Sequence, residues 1–155
     1  MSCKEKLEGF LREHSVPFEI NHHPPAYTAQ RVAQAEHVSG KMVVKVVMAF
    51  ADGKMVMLAL PAHRNANLAK AAEVAGAKEV RLAHEDEFAA AFPDCDVGAM
   101  PPFGNLYEIP VYVDRELAED ETIVFNAGTH EDTIHMKFAD FRQLVEPTMA
   151  DLSGC

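Results

Sequence analysis

The chain has 155 residues, of which 48% are hydrophobic, and a formal net charge of −10. This length and apolar content fit one globular domain with its own core, so we predict a single domain over residues 1–155. The acidic charge argues against extended nucleic-acid binding, in which phosphate neutralisation supplies much of the affinity, and we predict no DNA partner. A few cationic side chains could still bind one end of a nucleic acid.

Secretion and membrane insertion leave signals that this chain lacks. No apolar run approaches the roughly 20 residues that cross a bilayer, and the amphipathic start has no apolar signal-peptide core. The cysteines Cys3, Cys95 and Cys155 are far apart and odd in number, which indicates no disulfide framework or metal spacing. We therefore predict a reduced cytoplasmic protein with no membrane partner.

The first half of the chain alternates helical and strand patterns. In order, it predicts a helix containing Leu7 to His14, a strand from Phe18 to Asn21, a helix capped by Thr28, strands from Met42 to Phe50 and from Lys54 to Leu60, and a helix capped by Asn65 and ended by Gly76. Asp52-Gly53 predicts a hairpin turn between the two longer strands.

The second half is richer in strands. It predicts strands from Glu79 to Leu82, Val111 to Val113, Thr122 to Asn126 and Thr133 to Met136, a short helix from Glu85 to Phe92, and a last helix containing Phe138 to Val145. Strands outnumber helices and include one hairpin. The predicted fold class is therefore α/β or α+β, built around a mixed sheet.

Lys45 stands inside the apolar, β-favouring run from Met42 to Phe50. Such a run predicts a strand covered on both faces. An ammonium there must find a partner, reach solvent or lose its proton, because an unpaired buried charge is very costly. Two interpretations stay open at this point: a structural lysine that reaches water or a surface carboxylate, or a cation held for a ligand.

Two small-residue segments follow later in the chain. Gly98 to Gly104 combines two glycines, which let backbone approach a ligand, with Pro101 and Pro102, which fix φ and remove N–H groups. Taken alone, this segment could equally be a tight structural turn. The turn from Asn126 to His130 offers amides and a titratable ring. With the lysine strand, the two segments suggest a pocket for a small polar molecule.

The histidines and cysteines could indicate a metal site or a cysteine nucleophile. His130 and His135 are separated by five residues rather than four, so the spacing does not match the helical zinc-protease signature, and we predict no metal site. His22, beside His23, is either a loop residue or part of one wall of a pocket. Cys95 lies between Asp94 and Asp96, whose carboxylates disfavour a thiolate, so a surface cysteine is predicted rather than a nucleophile.

These features together resemble the YbaK family, the relatives of the editing domain inserted in bacterial prolyl-tRNA synthetases. The resemblance rests on the segments 38–45, 98–104 and 125–129, in that order, and it spans the chain from about Leu7 to Pro147. It implies a compact domain with a curved, barrel-like mixed sheet flanked by helices. It also implies hydrolysis of the ester that links a wrong amino acid to the tRNA 3′ end.

The resemblance also implies roles for particular residues. A lysine matching Lys45 anchors the terminal nucleotide or the aminoacyl group, and the loop from Gly98 to Pro102 positions the aminoacyl group and the attacking water through its backbone. We thus predict Lys45, Gly98 and Pro102 as catalytic. The predicted substrate-binding residues are His22, Tyr27, Lys41, Ala99, Met100, Pro101, Phe103, Gly104, Asn126, Gly128, Thr129 and His130.

Two positions depart from some relatives, which carry polar residues where this chain has Val46 and Pro101. Amino-acid specificity is therefore not transferred. The Gly-Ala-x-Pro-Pro-Phe and Phe-Asn-Ala-Gly variants resemble a branch with members that act on seryl- or threonyl-tRNA. Lys41, Lys45, Arg31 and Arg64 are expected to form a positive mouth for the acceptor end.

An aminoacyl ester is already activated, so backbone groups and one lysine suffice, and no cofactor is expected. The predicted partners are the 3′ end of mischarged tRNA and, transiently, an aminoacyl-tRNA synthetase. Two alternatives remain: a module that binds an amino acid or nucleotide without turnover, and a metal-dependent hydrolase that uses His130 and His135.

Overall fold

A computed structural model describes residues 2–154 of the chain. Within this range the helices are α1 (Cys3–Glu13), α2 (Ala29–Glu36), α3 (Leu68–Ala75), α4 (Glu85–Ala91) and α5 (Phe138–Val145). The strands are β1 (Glu19–His22), β2 (Val44–Ala51), β3 (Lys54–Pro61), β4 (Asn65–Ala66), β5 (Val80–Leu82), β6 (Val111–Asp114), β7 (Thr122–Asn126), β8 (Asp132–Lys137), β9 (Thr148–Ala150) and β10 (Ser153–Gly154). Two 3-10 helices cover Gly104–Tyr107 and Arg115–Glu119. None of the helices in this range is long and apolar enough to span a bilayer.

Helices α1, α2 and α3 begin where a side chain accepts a hydrogen bond from a free backbone amide. Thr28 caps α2 as predicted, because its hydroxyl accepts from the Arg31 amide at 3.1 Å. The predicted cap of α3 is wrong. Asn67, not Asn65, accepts from the Lys70 amide at 3.1 Å. Asn65 lies in β4 instead, since the chain stays extended there to pair with β10.

The predicted hairpin turn is confirmed. Asp52 and Gly53 both have positive φ, 49° and 84°, as the tight turns that match the twist of antiparallel strands require. The turn fixes the register of β2 and β3 over eight pairs, from Val44 opposite Pro61 to Ala51 opposite Lys54. Lys45 consequently lies opposite Leu60.

The strands form two main sheets and one small pair. The larger sheet has the order β5-β2-β3-β6-β9, with β5, β2 and β3 antiparallel and β3, β6 and β9 parallel. The smaller sheet, β1-β8-β7, is antiparallel, and β10 pairs with β4. The predicted mixed sheet is confirmed. Among residues 2–154 it does not close into a barrel, because pairing ends at β5 and β9 in one sheet and at β1 and β7 in the other.

The two main sheets meet at one parallel bridge between Val43 and Val124, where the Val124 amide donates to the Met42 carbonyl at 2.9 Å. Beyond this bridge β2 pairs with β3 while β7 pairs with β8, so the two strands diverge and leave a fork. Alternate residues of a strand share a face. Lys45 and Asn126, each two residues beyond the bridge, therefore lie on the two arms of the fork.

The main core packs α1 and α5 against the sheets. Phe103 lies at its centre, with its ring centroid 6.1, 5.5 and 5.4 Å from those of Phe10, Phe125 and Phe141. Burying such a side chain contributes on the order of 2–3 kcal/mol. A second cluster packs α3 against the β2–β3 hairpin. A third, smaller cluster packs α2 against the bridge between the sheets, and so holds the start of α2 at the fork.

The structure corrects the prediction that the cysteines form no disulfide. Cys3, the first residue of α1, is bonded to Cys95, which follows α4, across a sequence separation of 92. Spacing along the chain could not reveal this pair, because the approach of the two segments is set by tertiary packing. The third cysteine, Cys155, lies outside the described residues.

Candidate active site

A cavity of about 250 Å³ opens at the fork between β2 and β7. It is lined by Tyr27, Thr28, Ala29, Val44, Lys45, Val46, Gly98, Met100 and Asn126. The start of α2, the start of β2, the end of β7 and the segment around Gly98 thus each contribute one side. Five predicted site residues meet here, namely Lys45, Gly98, Met100, Asn126 and Tyr27.

Lys45 contributes a cation to the cavity lining. Its side chain is half-buried, and its Nζ donates to Oδ1 of Asn65 at 3.2 Å. No carboxylate pairs with this ammonium within residues 2–154. Burial lowers the pKa of Lys45 below its usual value of 10.5, as desolvation does for a cation without a counter-ion. The structure therefore does not support a lysine paired with a surface carboxylate.

Asn126, the last residue of β7, contributes an acceptor. Its Oδ1 is buried and meets no hydrogen-bond donor among the described residues. A buried polar atom left without a partner costs roughly 1–3 kcal/mol, so most such atoms in proteins are satisfied. An unpartnered carbonyl oxygen on a residue that lines a cavity marks a place where a ligand can donate a hydrogen bond.

The segment around Gly98 is held in place by backbone hydrogen bonds. Gly98 has a φ of 85°, a conformation that disfavours residues with a Cβ. On one side of it, the Asp96 amide donates to the Gly128 carbonyl at 2.8 Å, and on the other the Gly128 amide donates to the Ala99 carbonyl at 3.0 Å. The turn after β7 thus clamps both flanks of Gly98 and leaves Gly98 facing the cavity.

His130 packs behind this segment. Its Nε2 lies 2.8 Å from the Val97 carbonyl, and because a carbonyl only accepts, Nε2 must carry the proton. Its ring lies 4.7 Å from that of Tyr27, which lines the cavity, and its Cε1 would be 3.5 Å from a Cβ added to Gly98. Nδ1 is buried and without a partner among the described residues. His130 therefore fixes the position of Gly98 from outside the lining.

Three other predicted site residues make contacts at a distance from the cavity lining. His22 Nδ1 lies 3.1 Å from Asp132 Oδ1, and the Thr129 hydroxyl donates to Asp132 Oδ2 at 2.8 Å. Lys41 Nζ donates to Glu119 Oε1 at 3.2 Å. Each polar group thus has a protein partner, and none of the three residues lines the cavity.

The remaining predicted residues are buried around the Gly98 segment. Pro101, Pro102 and Phe103 turn into the core directly after Met100. At Gly104 a Cβ would lie 2.7 Å from the Ile109 carbonyl, so close packing requires this glycine. Ala99 and Gly128 hold the segment through the backbone bonds described above. None of these residues lines the cavity.

The expected positive mouth is largely neutralised. Arg64 Nε lies 2.9 Å from Glu116 Oε2, and Lys41 is paired with Glu119, so carboxylates compensate both cations. Arg31 lines a separate surface groove with Pro24 and Pro25. Lys45 alone of the four cations expected to form the positive mouth lines the cavity.

The two histidines required by a metal-dependent hydrolase do not share a site. His130 contacts Val97, whereas His135 Nε2 lies 2.7 Å from Glu36 Oε1 in a different part of the molecule. Within the described part of the chain, one group of three metal-ligand side chains comes together, namely Cys3, Asp94 and Cys95. Neither histidine belongs to it.

Sequence reasoning missed several lining residues. Thr28 and Ala29 were recognisable as a helix start but not as a wall of the cavity, and Val44 and Val46 were recognisable only as neighbours of Lys45. Asn65, which orients the Lys45 ammonium, had no usable signal. Its proximity depends on the route of the chain after β3.

The sequence of this chain is similar to those of known proteins. A sequence model of the aminoacyl-tRNA editing domain matches residues 23–144. The proline--tRNA ligase of Acidithiobacillus ferrooxidans is 32% identical over 122 residues, which cover 77% of this chain and 21% of the ligase. That of Solidesulfovibrio magneticus is 36% identical over 96 residues, which cover 61% and 16%. The chain thus spans about a fifth of the length of the first ligase and about a sixth of the second.

Solved structures share the fold. The hypothetical protein APE2540 superposes with a TM-score of 0.88 at 22% identity, covering 96% of this chain and 99% of that one. A structure described as a candidate trans-editing enzyme for prolyl tRNA synthetase superposes with a TM-score of 0.86 at 20% identity, covering 100% and 99%. At such identities the likeness concerns the fold alone. Because the family match extends over residues 23–144 and includes Lys45, Gly98 and Asn126, this chain belongs to the aminoacyl-tRNA editing domain family.

Proposed function

We propose that this protein is a trans-acting aminoacyl-tRNA deacylase, which hydrolyses the ester of mischarged tRNA in the cavity at the fork. One observation carries the proposal. Lys45 has a half-buried ammonium and Asn126 a buried carbonyl oxygen, and both residues line one cavity beside Gly98. Among residues 2–154 the ammonium has no carboxylate partner and the carbonyl oxygen has no donor. This arrangement suits a ligand that brings both a negative group and a hydrogen-bond donor.

The size of the cavity limits which part of the substrate enters. Its volume of about 250 Å³ lies below the roughly 300–1,000 Å³ of pockets that hold complete drug-sized ligands. We therefore expect it to accept the aminoacyl group and part of the terminal ribose, with the adenine at the mouth. Tyr27, which is 69% exposed, offers a ring at that mouth on which a base can stack.

Lys45 supplies the positive charge in this scheme. Its ammonium pairs with the terminal phosphate or with the carbonyl oxygen as that oxygen gains negative charge. The start of α2, at Thr28 and Ala29, adds the positive end of a helix dipole to the same cavity. A preorganised donor of this kind contributes about 3–4 kcal/mol to acyl transfer.

The reaction itself is ester hydrolysis. A water oxygen attacks the carbonyl carbon, and the bond from that carbon to the ribose oxygen breaks. One proton of the water passes to the leaving ribose oxygen, with the neighbouring ribose hydroxyl as relay, and the products are the free amino acid and deacylated tRNA. The Gly98 segment holds the water and the carbonyl in position through its backbone, which can itself supply several kcal/mol.

Asn126 has a matching role at the other end of the aminoacyl group. At neutral pH the α-amino group of an aminoacyl ester carries donor hydrogens, and the free Oδ1 of Asn126 accepts one of them. This contact orients the carbonyl toward Gly98. His130 is a positioning residue in this scheme, because it touches Val97 and Tyr27 rather than the cavity interior.

The proposed function has two partners. One is the acceptor end of a mischarged tRNA, and the other, bound transiently, is the synthetase that releases this tRNA. The net charge of −10 and the single cation in the cavity lining favour weak, salt-sensitive binding confined to the tRNA end. The ligases that resemble the chain carry the matching region within much longer proteins.

A panel of mischarged tRNAs tests the proposal. Release of free amino acid is compared with spontaneous hydrolysis for the wild type, for Lys45→Ala and for Lys41→Ala. We expect at least one tRNA to be deacylated, with kcat/KM reduced about 100- to 1,000-fold in Lys45→Ala and within about threefold of wild type in Lys41→Ala, since a surface ion pair contributes little.

Thermal unfolding of each variant separates loss of the site from loss of the fold. A folded Lys45→Ala protein with undiminished deacylation would refute the role of Lys45. A wild type that binds an aminoacyl analogue but releases no amino acid from any tRNA would favour the binding module instead.

A further inference from the structure

The disulfide between Cys3 and Cys95 lies next to the Gly98 segment. Cys3 is buried at the start of α1, and Cys95 is half-buried three residues before Gly98. We infer that this cysteine pair is a reversible thiol–disulfide site whose oxidised form holds the Gly98 segment in place. The effect on deacylation rests on the proposed function, whereas the effect on the segment itself does not.

Backbone hydrogen bonds connect the disulfide to the Gly98 segment. The Cys3 amide donates to the Asp94 carbonyl at 3.0 Å, which ties the start of α1 to the residue before Cys95. Immediately after Cys95, the Asp96 amide donates to Gly128 at 2.8 Å. The disulfide and these two bonds therefore fix both ends of a short segment that leads directly to Gly98.

Gly128 couples the same cysteine to the other flank of Gly98. It has a φ of 98°, and a Cβ added to it would lie 2.8 Å from both Cβ and Sγ of Cys3. The Gly128 amide donates to the Ala99 carbonyl, which follows Gly98. Cys3 thus packs against the turn that clamps the segment, so movement of Cys3 is transmitted to both sides of Gly98.

A tyrosine hydroxyl and a carboxylate lie beside the two sulfurs. The Tyr107 hydroxyl lies 3.3 Å from Cys95 Sγ and 3.5 Å from Cys3 Sγ, and it donates to Asp94 Oδ1 at 3.0 Å. Burial and the hydrogen bond to Asp94 raise the pKa of Tyr107, so this hydroxyl keeps its proton. Cys95 is more accessible than Cys3, which is 2% exposed, so an incoming thiolate reaches Cys95 first.

The exchange balances with a dithiol reductant. Its thiolate attacks Cys95 Sγ, the bond to Cys3 breaks, and Cys3 leaves as a thiolate at the N-terminus of α1, where the helix dipole favours negative charge. The second thiol of the reductant then attacks its own half of the mixed disulfide and releases Cys95. The reductant loses two electrons and two protons, and both cysteines end as thiols. With glutathione, a second glutathione thiolate attacks the mixed disulfide instead, which releases Cys95 and forms oxidised glutathione. Oxidised glutathione drives the reverse reaction and yields two molecules of reduced glutathione for each disulfide formed.

The test uses the full chain with Cys155→Ser, so that only Cys3 and Cys95 contribute thiols, and a matched protein that also carries Cys95→Ser. Both are equilibrated in glutathione buffers of graded redox ratio. Thiols are counted after denaturation, amide hydrogen exchange is followed at residues 96–99 and 128, and thermal unfolding is recorded. Neither exchange nor thiol counting needs a tRNA, so a failed deacylase assignment does not affect them.

In the Cys155→Ser protein we expect no free thiol under oxidising conditions and two after reduction. Exchange at residues 96–99 and 128 should become at least tenfold faster on reduction, and the melting temperature should fall by roughly 10 °C, as expected when a loop of this length loses its cross-link. The Cys95→Ser protein should resemble the reduced form in every buffer. If a mischarged tRNA that the protein deacylates is identified, its rate of deacylation should fall several-fold when the Cys155→Ser protein is reduced. The protein that also carries Cys95→Ser should show no such change.

Three results would overturn the inference. The first is two free thiols at every redox ratio. The second is a disulfide whose reduction leaves exchange at residues 96–99 and 128 unchanged. The third is protection of these amides in the reduced protein by one equivalent of zinc, since Cys3, Asp94 and Cys95 would then be metal ligands and not a disulfide site.

Discussion

Two regions of this protein each bring buried polar side chains together, and the two regions differ in the contacts that these side chains make. In one, which we term the histidine cluster, Glu36 accepts a hydrogen bond from Thr133 and lies 2.7 Å from His135 Nε2 and 3.7 Å from His23 Nε2. In the other, the fork cavity, Lys45 has no carboxylate partner within residues 2–154, and Asn126 Oδ1 has no donor.

The difference concerns what satisfies the polar groups. The Glu36 side chain is only 5% exposed, and Thr133 and His135 of β8 contact its two carboxylate oxygens. Within residues 2–154, His23 Nε2 is also a buried atom without a hydrogen-bond partner, but His23 does not line the cavity. Lys45 and Asn126 do line it, so a ligand that enters can pair with the ammonium and donate to Oδ1. Access from the cavity therefore separates the candidate active site from a cluster that stabilises the fold.

The largest effect on stability is expected in the histidine cluster. Glu36→Ala should lower the free energy of unfolding by about 3 kcal/mol, because breaking a buried, paired network leaves His23, His135 and Thr133 without their shared partner. Chemical denaturation measures this change. Deacylation below the unfolding range should stay within about threefold of wild type, since no residue of the cluster lines the cavity.

Glu73→Ala is the matched control for this substitution. Glu73 is an exposed glutamate on α3, and its replacement should change stability by less than about 0.5 kcal/mol. Equal stabilities of the Glu36→Ala and Glu73→Ala proteins would show that the histidine cluster does not stabilise the fold, and the contrast between the two regions would break down.

A smaller effect, confined to activity, is expected at Asn126. Asn126→Ala removes an acceptor that has no partner among the described residues, so stability should change by less than about 1 kcal/mol. The lost hydrogen bond to a charged amino group should reduce kcat/KM about 10- to 100-fold. Deacylation kinetics and denaturation of the same preparation measure the two quantities. Asn105→Ala, at an exposed asparagine, serves as control, and a stability loss without an activity loss would contradict the proposed role.

The smallest effect concerns the protonation of Lys45. Burial lowers its pKa below 10.5 in the folded protein, so the charged form carries a penalty that is fully present below the folded pKa. As pH rises through the folded pKa toward 10.5, the unfolded chain binds more protons than the folded one, and the penalty disappears. Wild type should therefore gain stability relative to Lys45→Met over that window.

An NMR titration of the lysine side chains gives the direct measurement. One lysine resonance should titrate below the others and be absent from the spectrum of Lys45→Met. A Lys45 resonance that titrates with the exposed lysines would mean that the ammonium lies in water and not in the cavity wall.

Much of the fold follows from patterns along the chain. The apolar run around Lys45, the Asp52-Gly53 turn and the threonine before α2 each encode one element through their immediate neighbours. The structure bears out all three. The wrong prediction of the α3 cap arises from pairing between segments that are distant along the chain. Asn65 and Asn67 both suit a helix cap, and the choice between them depends on whether β4 finds its partner β10, which lies near the other end of the chain.

The residues of the candidate site also fall into two groups, those that the sequence indicates and those that only tertiary packing brings together. An isolated lysine among valines and a glycine- and proline-rich loop point to Lys45 and Gly98, because an unpaired charge and a backbone turn are anomalies that the sequence itself displays. The disulfide, the neutralised Lys41 and the Asn65 contact could not be anticipated, since each joins residues whose separation is set by packing.

By itself, then, the sequence determined most of the helices and longer strands, the family resemblance and the one lysine that requires an explanation, because each depends on short segments whose residues are close along the chain. Tertiary structure alone decided that β2 and β7 part beyond Val43 and Val124, and so opened a cavity between Lys45 and Asn126. The fork arises where one strand exchanges its neighbour for another. That exchange depends on the packing of both sheets and the helices against them, which no local pattern encodes.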